Sequence, residues 1–234
     1  MNKLTTVTAA GIATLALGLG IVGCGSDSTT DETTTSTTTS AEETTTGAAE
    51  TTSAQAAPSP APRSNETIPD YLKANDISET AMHHGDPGPT IDLPVPEGWR
   101  LLEEGPQAPY GGIVYTSPTI SSDPPTVVAI FSKLTGDVDP AKILELAPNE
   151  LTNLPGYEPL GPTNKSDLDG FEAVQLGGAY TRDGKKRLIA QKTVVIPAPD
   201  GIFVLQLNAD GPEVDAGALM QATGVIDDQT KITM

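Results

Sequence analysis

The chain has 234 residues, with 13 Lys and Arg against 31 Asp and Glu, and a formal net charge of −18. A field of that sign repels phosphate backbones, which excludes nucleic acid as an expected partner. Its single cysteine excludes an internal disulfide and a cysteine-based metal site, so any folded part must be held by burial of its core.

In chain order, Lys3 forms a short basic start and Val7 to Gly20 an apolar run rich in Gly and Ala. The run is shorter than the roughly 20 residues a membrane-crossing helix needs, so it reads as the apolar core of an export signal. Ile21-Val22-Gly23-Cys24 then places that one cysteine behind two apolar residues and a small one, the pattern of a lipobox. Residues 1–23 are therefore expected to be a lipoprotein signal peptide, with Cys24 lipidated after cleavage. One acyl chain holds a membrane only marginally, at about 0.8 kcal/mol per buried CH₂, but two or three chains on one residue hold firmly. The expected location is the extracytoplasmic side of the cell membrane, with partial shedding as a further possibility.

Residues 24–66 follow as a tether. From Gly25 onward they are dominated by Thr, Ser, Ala and Glu, with Pro58, Pro60 and Pro62 near the end and almost nothing large and apolar to bury. As a random coil this stretch spans about 35 Å on average. The Thr33 to Thr39 run could carry O-linked sugar or remain a bare solvated polymer.

Residues 67–234 are long enough for one globular domain with a substantial core, expected as a monomer. From Thr67 on they hold 24 acidic and 11 basic residues, so the domain too is strongly negative. Thr67-Ile68-Pro69-Asp70 offers an N-cap and a first-turn proline for a short helix ending near Asn75. The Gly and Pro residues between Met82 and Pro96 exclude a helix, while Ile91, Leu93 and Val95 alternate as in an edge strand. Ile113 to Thr116 is β-rich, and Val127 to Leu134 reads as a strand buried on both faces. Asp139-Pro140 starts a helix with Leu144, Ala147, Leu151 and Leu154 as its apolar stripe, which Pro148 must kink or divide.

Three β-rich runs follow, Phe171 to Thr181, Arg187 to Ile196 and Ile202 to Leu207. Arg182-Asp183-Gly184 and Pro199-Asp200-Gly201 lie between them, so they form an antiparallel meander. Val214, Ala218, Ala222, Val225 and Ile226 predict a closing amphipathic helix. The fold class is α+β, an antiparallel sheet flanked by helices.

Five irregular strings carry a resemblance: His83-His84-Gly85-Asp86-Pro87, Leu93-Pro94-Val95-Pro96, Ala108 to Tyr115, Lys133 to Asp137 and Phe203 to Asp210. In order and spacing the chain resembles the LpqN/LpqT family of mycobacterial lipoproteins, from the lipobox to the last strand. The resemblance implies a PsbP-like α/β/α sandwich in the cell envelope, with no established catalytic activity and no catalytic residues to carry over.

The residues themselves show no His-Glu-x-x-His, no Gly-x-Ser-x-Gly and no phosphate-binding glycine loop. We therefore expect no enzyme and no cofactor. His83-His84 is the one cluster a metal could use, but neighbouring histidines on extended chain point apart and Asp86 does not complete a ligand set, so they read as structural. Gly111-Gly112 and Gly177-Gly178 could admit a ligand to the backbone, and read more readily as bulges or bends. Trp99 reads as core.

Arg182, Lys185, Lys186 and Arg187 gather four of the domain's cations around one turn. They form either a solvated tip or a contact for anionic lipid head groups or an acidic partner. Together these features predict a non-catalytic accessory or adaptor that binds an envelope membrane protein in lipid biogenesis or trafficking. A carrier holding a lipid or small apolar ligand in a cavity, and a shed interaction module facing a host, are the alternatives.

Overall fold

The computed structural model describes residues 65–234. The expected signal peptide, the expected lipidation at Cys24 and nearly all of the expected tether lie outside the described residues. The chain is fastened to the domain from Asn65, whose backbone N–H donates to the Asn153 side chain at 2.8 Å while Asn153 donates back to its carbonyl.

Helix α1 (Ile68–Ala74) starts as expected, with Thr67 and Asp70 forming a capping box and proline in the first turn. Strands β1 (Ser78–Ala81), β2 (Thr90–Asp92), β3 (Trp99–Leu102), β4 (Gly112–Tyr115) and β5 (Thr126–Thr135) follow. Pro148 divides the next helix into α2 (Pro140–Leu146) and α3 (Pro148–Thr152), with Ala147 between them. Strands β6 (Glu158–Pro159), β7 (Asn164–Leu168), β8 (Phe171–Arg182), β9 (Lys185–Ala198) and β10 (Gly201–Pro212) lead to α4 (Ala216–Gln229) and β11 (Lys231–Thr233).

Nine strands form one antiparallel sheet in the order β3-β4-β5-β10-β9-β8-β6, with β1 also pairing β5 and β7 pairing β8; β11 and β2 pair separately. The meander β8-β9-β10 is its centre, and its ladders keep one register from end to end. The β8–β9 turn has positive φ at both Asp183 and Gly184, as a type I′ hairpin requires.

Because side chains alternate across a sheet, consecutive residues feed two different cores. Val194, Ile196, Phe203 and Leu205 join Phe131, Leu219, Ala222 and Ile226 on one face. Val195 and Val204 join Leu72, Ile143, Leu146 and Leu134 on the other. Helices α1, α2 and α3 thus cover one face and α4 the other, an α/β/α sandwich that matches the expected α+β class.

Three expectations need correction. The closing helix buries Leu219, Ala222 and Ile226, whereas Val214 lies in the preceding 3₁₀ turn with 61% of its surface exposed. Val127 to Leu134 is less evenly buried than expected, because Val128 and Ile130 remain half-buried on the face turned toward α1 and α3. Gly177-Gly178 is no bulge, since both residues sit in an unbroken ladder with β9. Gly111, with φ of 71°, does mark a bend, and at Gly112 a Cβ would stand 2.1 Å from the Val127 carbonyl oxygen, so the close approach of β4 to β5 requires glycine there.

Candidate ligand groove and the basic hairpin

The unbroken registers align small residues into a row across four strands. Gly177 pairs with Ala190, Ala190 with Ala209, and Ala209 with Val127. All four belong to the face under α4, so that helix crosses a shallow trough instead of interlocking with large side chains. A cavity of about 310 Å³ results, floored by this row, walled by Thr223 and Ile226 of α4 and roofed by Leu160, Gly161 and Pro162 from the β6–β7 loop. A smaller space of about 130 Å³ continues from it past Leu188, Leu219 and Met220, sharing Leu160, Gly177, Ala190, Ala209 and Thr223. At the mouth Leu160 and Met220 expose 70% and 73% of their surface.

One end of the groove is polar. Gln175 and Lys192 occupy the next cross-strand row, and the Lys192 ammonium, almost fully buried, pairs with the Asp227 carboxylate of α4 at 2.8 Å. It also donates to the Asp167 carbonyl at 3.3 Å. The groove therefore combines a long apolar floor with a fixed positive and negative pair at one end, the arrangement of a site for an amphiphile. Its volume enters the range of roughly 300–1,000 Å³ in which small-molecule sites lie. The composition of β8 to β10 contains this signal only as scattered Gly and Ala, and it becomes a site only once three strands lie in register.

The structure divides the four hairpin cations. Arg187 is buried, its guanidinium held by Asp123 and Asp210, so it cannot be a surface contact as expected from the sequence. Although burial disfavours its charge, Asp210 and Asp123 together hold it firmly protonated. Tyr180 donates to Asp210 at 2.5 Å, and burial together with that bond pushes its hydroxyl up to about 12. Arg182 reaches the same Asp210 at 3.5 Å, and Lys186 reaches Glu213 at 3.5 Å. Arg182, Lys185 and Lys186 remain at the exposed tip.

His83 and His84 do not point apart. The chain turns at Gly85, the two rings stand 3.2 and 3.9 Å from the Glu104 carboxylate, and the backbone N–H of His84 donates to Glu104 at 2.7 Å. That N–H, followed by the His83 ring, holds the Glu104 carboxyl below its ordinary value. Trp99 is buried as expected, against Tyr115.

Among the described residues no helix is long and apolar enough to cross a membrane. Residues 64–233 match the profile of a family described as Probable lipoprotein LpqN. The chain is 57% identical over 225 residues to Lipoprotein LpqN of Mycobacterium tuberculosis (strain ATCC 25618 / H37Rv), covering 96% of this chain and 97% of that protein. It is 26% identical over 135 residues to Putative lipoprotein LpqT of Mycobacterium leprae (strain TN), covering 56% of this chain and 57% of that one. A crystal structure of LpqN of Mycobacterium tuberculosis, described as involved in cell envelope biogenesis, superposes with a TM-score of 0.71 at 60% identity, over 73% of this chain and 99% of that one. With a family profile over residues 64–233 and 57% identity across 96% of its length, the chain belongs to the LpqN family of lipoproteins.

Proposed function

We propose that this protein is a non-catalytic lipoprotein of the cell envelope, anchored through Cys24, that serves envelope biogenesis by holding the apolar part of an envelope lipid in the groove under α4. The observation that carries this reading is the cross-strand row Gly177, Ala190, Ala209, whose small side chains leave a continuous apolar trough beside α4 with a charged pair at one end. The involvement of its relative in cell envelope biogenesis supports the same setting. The carrier reading thus moves ahead of the pure adaptor that the sequence favoured. The exposed tip of Arg182, Lys185 and Lys186 is the contact we assign to an anionic surface, so that a tethered carrier docks on membrane or on an envelope membrane protein while loaded.

Filling the trough tests the proposal. Ala190→Phe projects a ring from the middle of the floor, and binding of a fluorescent fatty-acyl probe to the purified chain should weaken at least about tenfold, as expected when a ligand's apolar contact area is displaced. Circular dichroism and Tm confirm that the variant folds. Equal probe binding by a folded Ala190→Phe protein would sink the groove as the ligand site.

A further inference from the structure

At the sheet edge farthest from the basic hairpin lies a second cleft, of different character. Among the described residues strand β3 ends the sheet and pairs only with β4. Thr116 donates its N–H to the Gly98 carbonyl at 2.9 Å, and the antiparallel alternation then turns Arg100 and Leu102 toward β4 and the Leu101 peptide groups outward. The Leu101 side chain is 62% exposed. Beside it is a cleft of about 410 Å³ with Ile91, Leu93, Leu102 and Tyr110 along its apolar floor, and with Asp92, Glu103 and Glu104 at its rim.

We propose that the β3 edge and this cleft dock an extended protein segment with alternating basic and apolar side chains, which adds to the sheet as a further strand. The outward peptide groups of Leu101 supply the backbone partners, the cleft takes the apolar side chains, and the rim carboxylates meet the cations. Glu104 is kept ionised by the His84 N–H, so the rim is charged at neutral pH. Arg100 places its guanidinium on the Leu101 carbonyl at 3.3 Å, and an incoming strand displaces it. A second copy of this chain does not fit the edge, because pairing β3 with β3 sets one acidic rim against another. The protein's own tether does not fit either, since residues 25–64 carry six acids and one base, Arg63.

The experiment titrates the full chain with short labelled peptides: one alternating Lys and Val, one alternating Glu and Val, and the Lys-Val peptide interrupted by proline. The Lys-Val peptide should bind, lose affinity as salt rises, and slow hydrogen exchange at the Leu101 amide; the other two should not. Leu101→Lys, and separately Asp92→Asn with Glu103→Gln, should each weaken binding about tenfold or more. The remote pair Glu158→Gln with Glu172→Gln should leave it unchanged, which separates docking from attraction to a negative protein in general. All these positions are exposed, so folding is not at stake. Equal loss with the remote pair, equal binding of the Glu-Val peptide, or an unprotected Leu101 amide overturns the proposal, as does self-association that Leu101→Lys abolishes.

Discussion

The two faces of one sheet are built in opposite ways. Under α1, α2 and α3, apolar residues close the near part, and beyond them the sheet's polar side chains satisfy one another. Gln191 and Gln206 both donate to Glu150 of α3, at 3.1 and 2.9 Å, and Gln191 also donates to Asn208. Further along, Arg187, Tyr180, Asp210 and Asp123 close a charged cluster that ties the loop before β5 to the sheet. Beside Glu150 and Gln206 on this face lies a space of about 50 Å³. Under α4 the corresponding positions are Gly177, Ala190 and Ala209, and about six times that volume stays open. A face tied together by a network of hydrogen bonds and ion pairs is costly to rearrange, whereas a face of small apolar groups loses little when a ligand enters. The first face therefore acts as the scaffold of the second.

The contrast is sharpest at Arg187. Replacing it with Met leaves Asp123 and Asp210 facing each other without their cation, and should cost about 3–5 kcal/mol, read as a lower denaturation midpoint. A loss below about 1 kcal/mol would show that the charged cluster does not hold the closed face together.

Two adjacent glycines give the next largest difference. A Cβ at Gly178, on the closed face, would stand 2.3 Å from the Tyr157 ring and 2.7 Å from the Glu158 carbonyl oxygen, so Gly178→Ala should cost about 1–3 kcal/mol through overpacking. At Gly177, on the open face, the nearest atom would be 3.5 Å away, so Gly177→Ala should change stability by less than about 1 kcal/mol. Similar Tm shifts for the pair would erase the distinction between the faces.

Glu150 gives a smaller, pH-dependent effect. Burial raises its carboxyl above the ordinary 4.5, while the bonds from Gln191 and Gln206 pull the other way. Since the folded value is the higher one, the stability this group contributes is complete below the unfolded value and is lost as pH rises through the folded value. Glu150→Gln keeps an acceptor oxygen for both glutamines and should raise stability at pH 7 by about 1 kcal/mol or less, with the gain vanishing toward pH 4. A gain that persists unchanged at pH 4 would assign the effect to packing.

The smallest effect belongs to the hairpin tip. Lys185→Gln with Lys186→Gln should move stability by less than about 0.5 kcal/mol, because exposed and salt-screened charges contribute little to folding. Sedimentation with vesicles containing anionic lipid should nevertheless fall, more at low salt than at high. Unaltered sedimentation would leave the tip as solvated surface.

Much of the fold was legible because local chemistry enforced it. Thr67 and Pro69 began a helix, Pro148 broke one, and Asp183-Gly184 set a hairpin, each through backbone constraints that act within a few residues. Asp169-Gly170, with positive φ at both positions, makes the β7–β8 turn by the same chemistry, but the polar run Asn164 to Asp167 before it has no apolar alternation to mark β7 as a strand. The closing helix buries Ala222 and Ile226 of the expected stripe but takes Leu219 in place of Val214, because the two are similarly apolar and only the sheet beneath selects between them.

The sequence by itself determined the negative charge, the α+β class and its central meander, because these depend on composition, spacing and near-neighbour sterics. The tertiary structure alone decided which side chains became a site. Arg187 stands next in sequence to Lys186, yet pleating turns it onto a face where two carboxylates bury it. Gly177, Ala190 and Ala209 are far apart along the chain and form the floor of one groove because strand register sets them side by side. Register is fixed by the whole sheet's burial and pairing, and no short stretch of sequence contains it.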